Sequence, residues 1–196
     1  ATEAIIAATN LPQLPFTPGR TETINGTDYS FNSNATLAPG TYGDVNVQNG
    51  VTLTLGAGTY NMANFTTGQN VTIIVSPDTV LMIDGKFSVG DGSAFGSENA
   101  VPWVYAGSYG VGANDDSIHF GQAVDAYGHF FTPYGNMGNG SNGVDLYGTF
   151  WSKNFSNDFN TNIHYINPNP VPIPAAFWLL GAGLIGLASV RRRLQK

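Results

Sequence analysis

Residues 124–131 read VDAYGHFF, and twenty positions later residues 144–151 read VDLYGTFW. An earlier stretch repeats in the same way: PGTYGDVNVQNGVTLTL is followed by AGTYNMANFTTGQNVTIIV, with Gly40-Thr41-Tyr42 returning as Gly58-Thr59-Tyr60 and Gly50-Val51 echoed at Asn70-Val71. A period of eighteen to twenty residues is too short to hold a strand, a helix and a second strand. It suits one rung of a parallel β-solenoid, in which two or three short strands turn through tight corners and each rung stacks on the one before. Strands alternate their side chains, so Val51, Leu53 and Leu55, and one rung on Val71, Ile73 and Val75, should form apolar columns inside the coil. Gly and Asn supply the corners, where positive φ costs little. The expected fold is therefore all-β, a right-handed parallel β-helix over residues 37–166, with a two-sheet β-sandwich or jelly roll as the alternative that also yields many short strands. Residues 1–36, which include LPQLPFTPG, read as an irregular lead-in or cap.

The last residues break the pattern. Residues 167–174, NPNPVPIP, read as a stiff extended spacer. From Ala175 to Val190 no residue is charged, and Arg191, Arg192 and Arg193 follow. Sixteen helical residues span about 24 Å at ~1.5 Å each, slightly short of a ~30 Å hydrocarbon core. Adding residues 171–174 makes a crossing just possible. Pro172 and Pro174 suit the entry to such a helix and Trp178 an interface, while the arginines should stay on the cytoplasmic side. Gly181, Gly183 and Gly186 permit close helix approach in lipid.

Val171, Pro172, Ile173, Pro174 and Ala175, with the Gly-punctuated apolar run and the closing arginines, resemble the PEP-CTERM sorting signal in its Val-Pro-Leu-Pro-Ala variant, Ile173 standing where Leu is usual. The resemblance covers about 25 residues. It implies recognition and processing of residues 171–196 by an integral-membrane exosortase, in a Gram-negative host that makes exopolysaccharide. An ordinary single-pass anchor and a buried terminal helix are the other readings of the same letters.

Charge narrows the partners. All thirteen acidic residues precede position 159, whereas four of the seven basic ones follow position 190. With only Arg20, Lys86 and Lys153 to meet phosphates, the body is unsuited to nucleic acid. The opening ATEA reads as the small, polar start left by removal of a secretory signal peptide, so an exported form is expected. The chain has no cysteine, which a repetitive core of this size does not require.

Several β-helix proteins are polysaccharide lyases or hydrolases, and that chemistry has definite residue requirements. A lyase base would have to come from Arg20, Lys86 or Lys153, which lie in three different repeats. Hydrolysis needs two carboxylates about 5–10 Å apart. Asp125 and Asp145 hold equivalent repeat positions and should stack about 4.8 Å apart on one face, with Asp115-Asp116 nearby in sequence; a row of surface acids or a cation contact is the simpler reading. His119, His129 and His164 lack metal spacing and read as surface or capped histidines. GDGS at 90–93 and Asp115-Asp116 offer oxygen ligands for Ca²⁺ without an EF-hand or calcium-repeat pattern, so no cofactor is expected. Trp103, Tyr105, Tyr109, Tyr127, Phe130, Phe131, Tyr134, Tyr147, Phe150 and Trp151 crowd the second half. Core and ladder packing accounts for most of them; an exposed strip of Trp103, Tyr127, Tyr147 and Trp151 contacting sugar rings or another subunit is the functional alternative.

Residues 117–166, from SIHFGQAVDAYGHFF to the closing NIHY, resemble β-helical repeats of bacterial surface and adhesin-like proteins, with Thr132-Pro133 where Ala-Pro is usual. That resemblance implies fold more than activity. Together these features describe an exported, non-catalytic structural protein of the cell surface or extracellular matrix that self-associates into oligomers or filaments, with a surface adhesin or carbohydrate-binding module and a polysaccharide-active β-helix enzyme as rivals.

Overall fold

In a computed structural model, the structure describes residues 24–107, 116–157 and 160–166. The chain divides into two compact units, 1–166 and 167–196. The described residues all belong to the first; the sorting-motif residues 171–175 and 191–193, the terminal helix, Asp115 and Tyr109 lie outside them.

Among the described residues there are fourteen strands and no helix: β1 (Thr27–Phe31), β2 (Ala35–Leu37), β3 (Gly40–Val47), β4 (Thr52–Leu55), β5 (Gly58–Thr67), β6 (Thr72–Val75), β7 (Thr79–Ile83), β8 (Phe87–Val89), β9 (Ala94–Phe95), β10 (Trp103–Ala106), β11 (Asp116–Phe120), β12 (Asp125–Asn139), β13 (Val144–Ser156) and β14 (Thr161–Tyr165). All pairings between these strands are parallel, and each strand pairs with strands roughly one repeat away. This is a parallel β-solenoid of about six turns, not a sandwich. Strand pairing begins at Thr27, inside the stretch expected to be irregular.

The coil has three sides. Side one stacks 40–42, 58–62, β7, β10, 129–132 and 149–152; side two stacks β1, 44–47, 64–67, β8, β11, 136–139 and 154–156. Side three stacks β2, β4, β6, β9, 125–128, 144–148 and β14. β12 turns the corner at 128–129 without losing its pairing to β13, whereas its second corner, between Thr132 and Asn136, carries a register shift. At one corner Gly148 has φ +142°, and a Cβ there would lie 1.7 Å from the carbonyl oxygen of Gly128 in the preceding turn. Only glycine fits that approach.

Inward residues form continuous columns. Ala35, Leu53, Ile73, Phe95, Ala126, Leu146 and Ile163 are in register on side three. On side two the column runs Tyr29, Val45, Phe65, Phe87, Ile118, Met137, Phe155. The six expected interior residues, Val51, Leu53, Leu55, Val71, Ile73 and Val75, are all buried. Each large apolar side chain buried in this way stabilises the fold by about 1.5–3 kcal/mol before the entropic cost is counted.

One expected register differs. Gly40 pairs with Tyr60 and Tyr42 with Met62, an offset of twenty, so the two GTY segments are not opposite each other although they are eighteen apart in sequence. On side three Leu37 does stack on Leu55 at eighteen. Turns of unequal length force the slip, and because it is two residues every side chain keeps its face.

Polar side chains hold the corners by accepting backbone N–H groups from the next turn. Asn34 Oδ1 accepts from the amide of Thr52 (2.9 Å), Asn49 Oδ1 from Gln69 (2.8 Å), Asn64 Oδ1 from Lys86 (2.8 Å) and Asp91 Oδ1 from Gln122 (2.9 Å). Donors that the bend removes from the ladder are thereby satisfied.

Candidate functional site

The four aromatic residues expected to form one strip occupy two different sides. Tyr127 and Tyr147 are in register on the outer surface of side three, their rings 4.3 Å apart and 5° from parallel, and Tyr147 stacks in turn on His164 at 4.4 Å. A sugar ring binds to an open aromatic face. Here the facing surfaces of Tyr127 and Tyr147 are occupied by each other, and the other face of Tyr147 by His164. Loss of water around its hydroxyl, and then the Asp145 carboxylate, raise the pKa of Tyr147 above the usual phenolic value.

Beside this stack, Asp125 and Asp145 are directly in register, as their repeat positions require. Asp145 Oδ1 accepts a hydrogen bond from Asn162 Nδ2 at 2.8 Å and lies 3.6 Å from His164 Nε2. The pair therefore belongs to an outward polar ladder, with Asn162 continuing it. It does not line a cleft of about 450 Å³ found among the described residues on side two, whose walls are Asp116, Asn136, Gly138, Asn139, Asn154, Phe155 and Ser156. In that cleft Asn154 Nδ2 donates to Asn136 Oδ1 at 2.9 Å, and Asp116 Oδ2 lies 3.2 Å from His119 Nδ1. Both carboxylate oxygens of Asp91, in the GDGS stretch, have protein donors, the amide of Gln122 and Nε2 of Gln69. Among the described residues no three His, Cys, Asp or Glu side chains gather as a metal-binding group.

Side one carries the other aromatics. Trp103 stacks beside Tyr105 (5.9 Å) and His129 (4.6 Å), Tyr105 meets Phe131 (5.8 Å), and Phe131 meets Trp151 (6.0 Å). His129 is capped, its Nδ1 lying 2.9 Å from Thr149 Oγ1, and burial lowers its pKa.

The largest anomaly is at the end of the stack. In the last turn Phe155 and Ile163 continue interior columns that are fully buried one turn earlier at Met137 and Leu146, yet they are 38% and 49% exposed. Among the described residues, 149–156 and β14 pair only with the preceding turn, which leaves their far edges unmatched. The first turn shows the same feature, with Tyr29 exposed at the head of the side-two column. Sequence reading anticipated self-association but not these residues. The signal was available in TNIHY, whose Ile falls in an interior column with no further repeat to cover it.

No protein-family model, curated protein or solved structure matches the chain.

Proposed function

We propose that this is an exported, non-catalytic structural protein of the bacterial cell surface or extracellular matrix that assembles end to end. The observation that carries the reading is the apolar last turn formed by Phe150, Phe155 and Ile163, whose far edge is unmatched among the described residues. An open parallel edge is a template for another strand, and natural proteins ordinarily block it. A second copy offers matching columns: its Tyr29 would continue the column that ends at Phe155, and its small Ala35 would lie under Ile163. Head-to-tail contacts of this kind propagate and do not close, which gives a filament. Right-handed winding, expected for parallel crossovers, keeps the columns continuous across such a joint. The C-terminal segment, with its resemblance to a PEP-CTERM signal, would deliver the chain outward as a membrane-spanning helix processed by an exosortase, and exopolysaccharide would surround the product.

Sedimentation velocity and negative-stain microscopy across a wide concentration range test this. Concentration-dependent linear assemblies are expected, with Ile163→Asp returning the protein to monomers of unchanged circular dichroism. A strict monomer at the highest concentration overturns the reading. A surface adhesin or carbohydrate-binding role is favoured by one feature, the exposed Trp151 at the margin of the side-one aromatic group, and predicts binding to exopolysaccharide that Trp151→Ala weakens.

A further inference from the structure

Four Asn-Gly pairs occur in the chain, and all lie among the described residues: Asn25-Gly26, Asn49-Gly50, Asn139-Gly140 and Asn142-Gly143. Such a pair can react with itself, because glycine has no side chain to shield its backbone nitrogen from the carboxamide carbon of the asparagine before it. In a folded chain two conditions must hold. The glycine N–H must not be held by a carbonyl of a neighbouring turn, and the glycine must have room to swing toward that carbon.

The four pairs differ on both counts. Gly50 has open space around it, but its N–H donates to the Gln69 carbonyl at 2.9 Å. Gly140 donates to the Phe120 carbonyl at 2.7 Å and is also crowded, a Cβ there lying 2.8 Å from the backbone nitrogen of Gln122. The N–H of Gly26 has no partner among the described residues, yet a Cβ there would lie 2.3 Å from the carbonyl carbon of Tyr42, so this backbone is wedged against β3. Gly143 alone meets both conditions. Its N–H has no partner among the described residues, and the nearest atom to a Cβ would be Ala123 Cα, 3.9 Å away. Its φ of +63° is one that suits glycine. Asn142 and Gly143 are both exposed to water. Asn142 Oδ1 accepts a hydrogen bond from Asn160 Nδ2 at 3.3 Å, which draws electron density from the carboxamide carbon.

We propose that Asn142-Gly143 is a self-deamidation site of the folded protein. The Gly143 nitrogen bonds to Asn142 Cγ as its proton passes to solvent, and the Cγ–Nδ2 bond breaks with release of ammonia, leaving a cyclic succinimide. Water then opens the ring. Attack at Cγ leaves an aspartate at position 142, and attack at the former backbone carbonyl leaves an isoaspartyl link. By either route one carboxamide and one water become one carboxylic acid and one ammonia. The isoaspartyl link adds an atom to the main chain at the corner between β12 and β13. That corner is bonded to the turns on both sides, since the Asn142 carbonyl accepts from the Ala123 N–H at 2.7 Å and the Val144 N–H donates to the Asn160 carbonyl at 3.3 Å. The product therefore loosens the last turn. The chemistry is intramolecular and stands apart from end-to-end assembly.

Full-length protein held in mildly alkaline buffer, where the attacking nitrogen loses its proton more readily, can be sampled over time and read by peptide mass spectrometry at all four pairs. Position 142 is expected to convert severalfold faster than positions 25, 49 and 139, to a mixture of aspartyl and isoaspartyl peptides that take up one oxygen atom from isotopically labelled water. In urea-unfolded chains the four rates should converge. Asn142→Gln, whose longer side chain closes its ring far more slowly, should remove the fast conversion and leave the circular dichroism native. Equal rates at the four positions of the folded protein overturn the proposal. So does conversion led by Asn25, Asn49 or Asn139, or an Asn142 that keeps its amide over a period in which the unfolded chain converts.

Discussion

Phe87 and Phe155 stand in the same interior column of side two, three layers apart, with Ile118 and Met137 between them. Phe87 is stacked against Phe65 at 5.5 Å and meets Phe95, Phe120 and Phe130 within 6.3 Å; among the described residues Phe155 has one aromatic neighbour, Phe150, at 6.5 Å. The residue type and inward direction are shared, so the difference comes only from whether another turn follows. In a structure held together by nearest neighbours, an interior position gains its burial from both adjacent layers, and a terminal one from a single layer. Burial at the end of such a coil is a property of what comes next.

Core truncation separates the two positions most. Phe87→Ala should destabilise the monomer by about 3–5 kcal/mol in urea unfolding, whereas Phe155→Ala, measured under dilute conditions, should cost less than about 1 kcal/mol. Equal costs would show that the last turn is already covered. Corner asparagines extend the comparison at smaller magnitude. Asn49→Ala removes the acceptor of the Gln69 amide between two turns and should cost about 1 kcal/mol. Asn162→Ala, on the exposed final strand, should stay within about 0.5 kcal/mol of the parent. The smallest effect is in pH. Burial places the folded pKa of His129 below its ordinary 6.5, so the unfolded chain binds a proton where the folded one does not. The associated stability is complete above that unfolded value and is lost as pH falls toward and through the folded one. Thermal unfolding between pH 8 and 5 should show this component in the parent, and His129→Gln should remove it.

The columns were legible in the sequence because the period-two alternation within each rung and the near-twenty period between rungs are both properties of the chain itself. VDAYG and VDLYG stack letter on letter, which brings Asp125 to Asp145 and Tyr127 to Tyr147. What spacing does not record is where the chain turns a corner. The bend between Gly128 and His129 places Tyr127 on side three and Phe131 on side one, so aromatics four residues apart face different directions, and Trp103 and Trp151 part company from the two tyrosines. The GTY echo misleads for a related reason, since turns of eighteen and twenty residues coexist in one stack. The first turn is not legible in the sequence because TDYSF and ATL are short and mostly exposed, with no layer above them among the described residues to demand apolar letters.

The corner bonds from Asn34, Asn49 and Asn64 each reach only one layer along the axis. Beyond the Ile24–Asp84 bond at the first layers, a complete layer can therefore be duplicated or excised with changes only to the contacts of its immediate neighbours. Length in such a body is a free dial, advancing by about 4.8 Å for each repeat added, and a lineage that needed to hold two objects farther apart could do so by copying one rung.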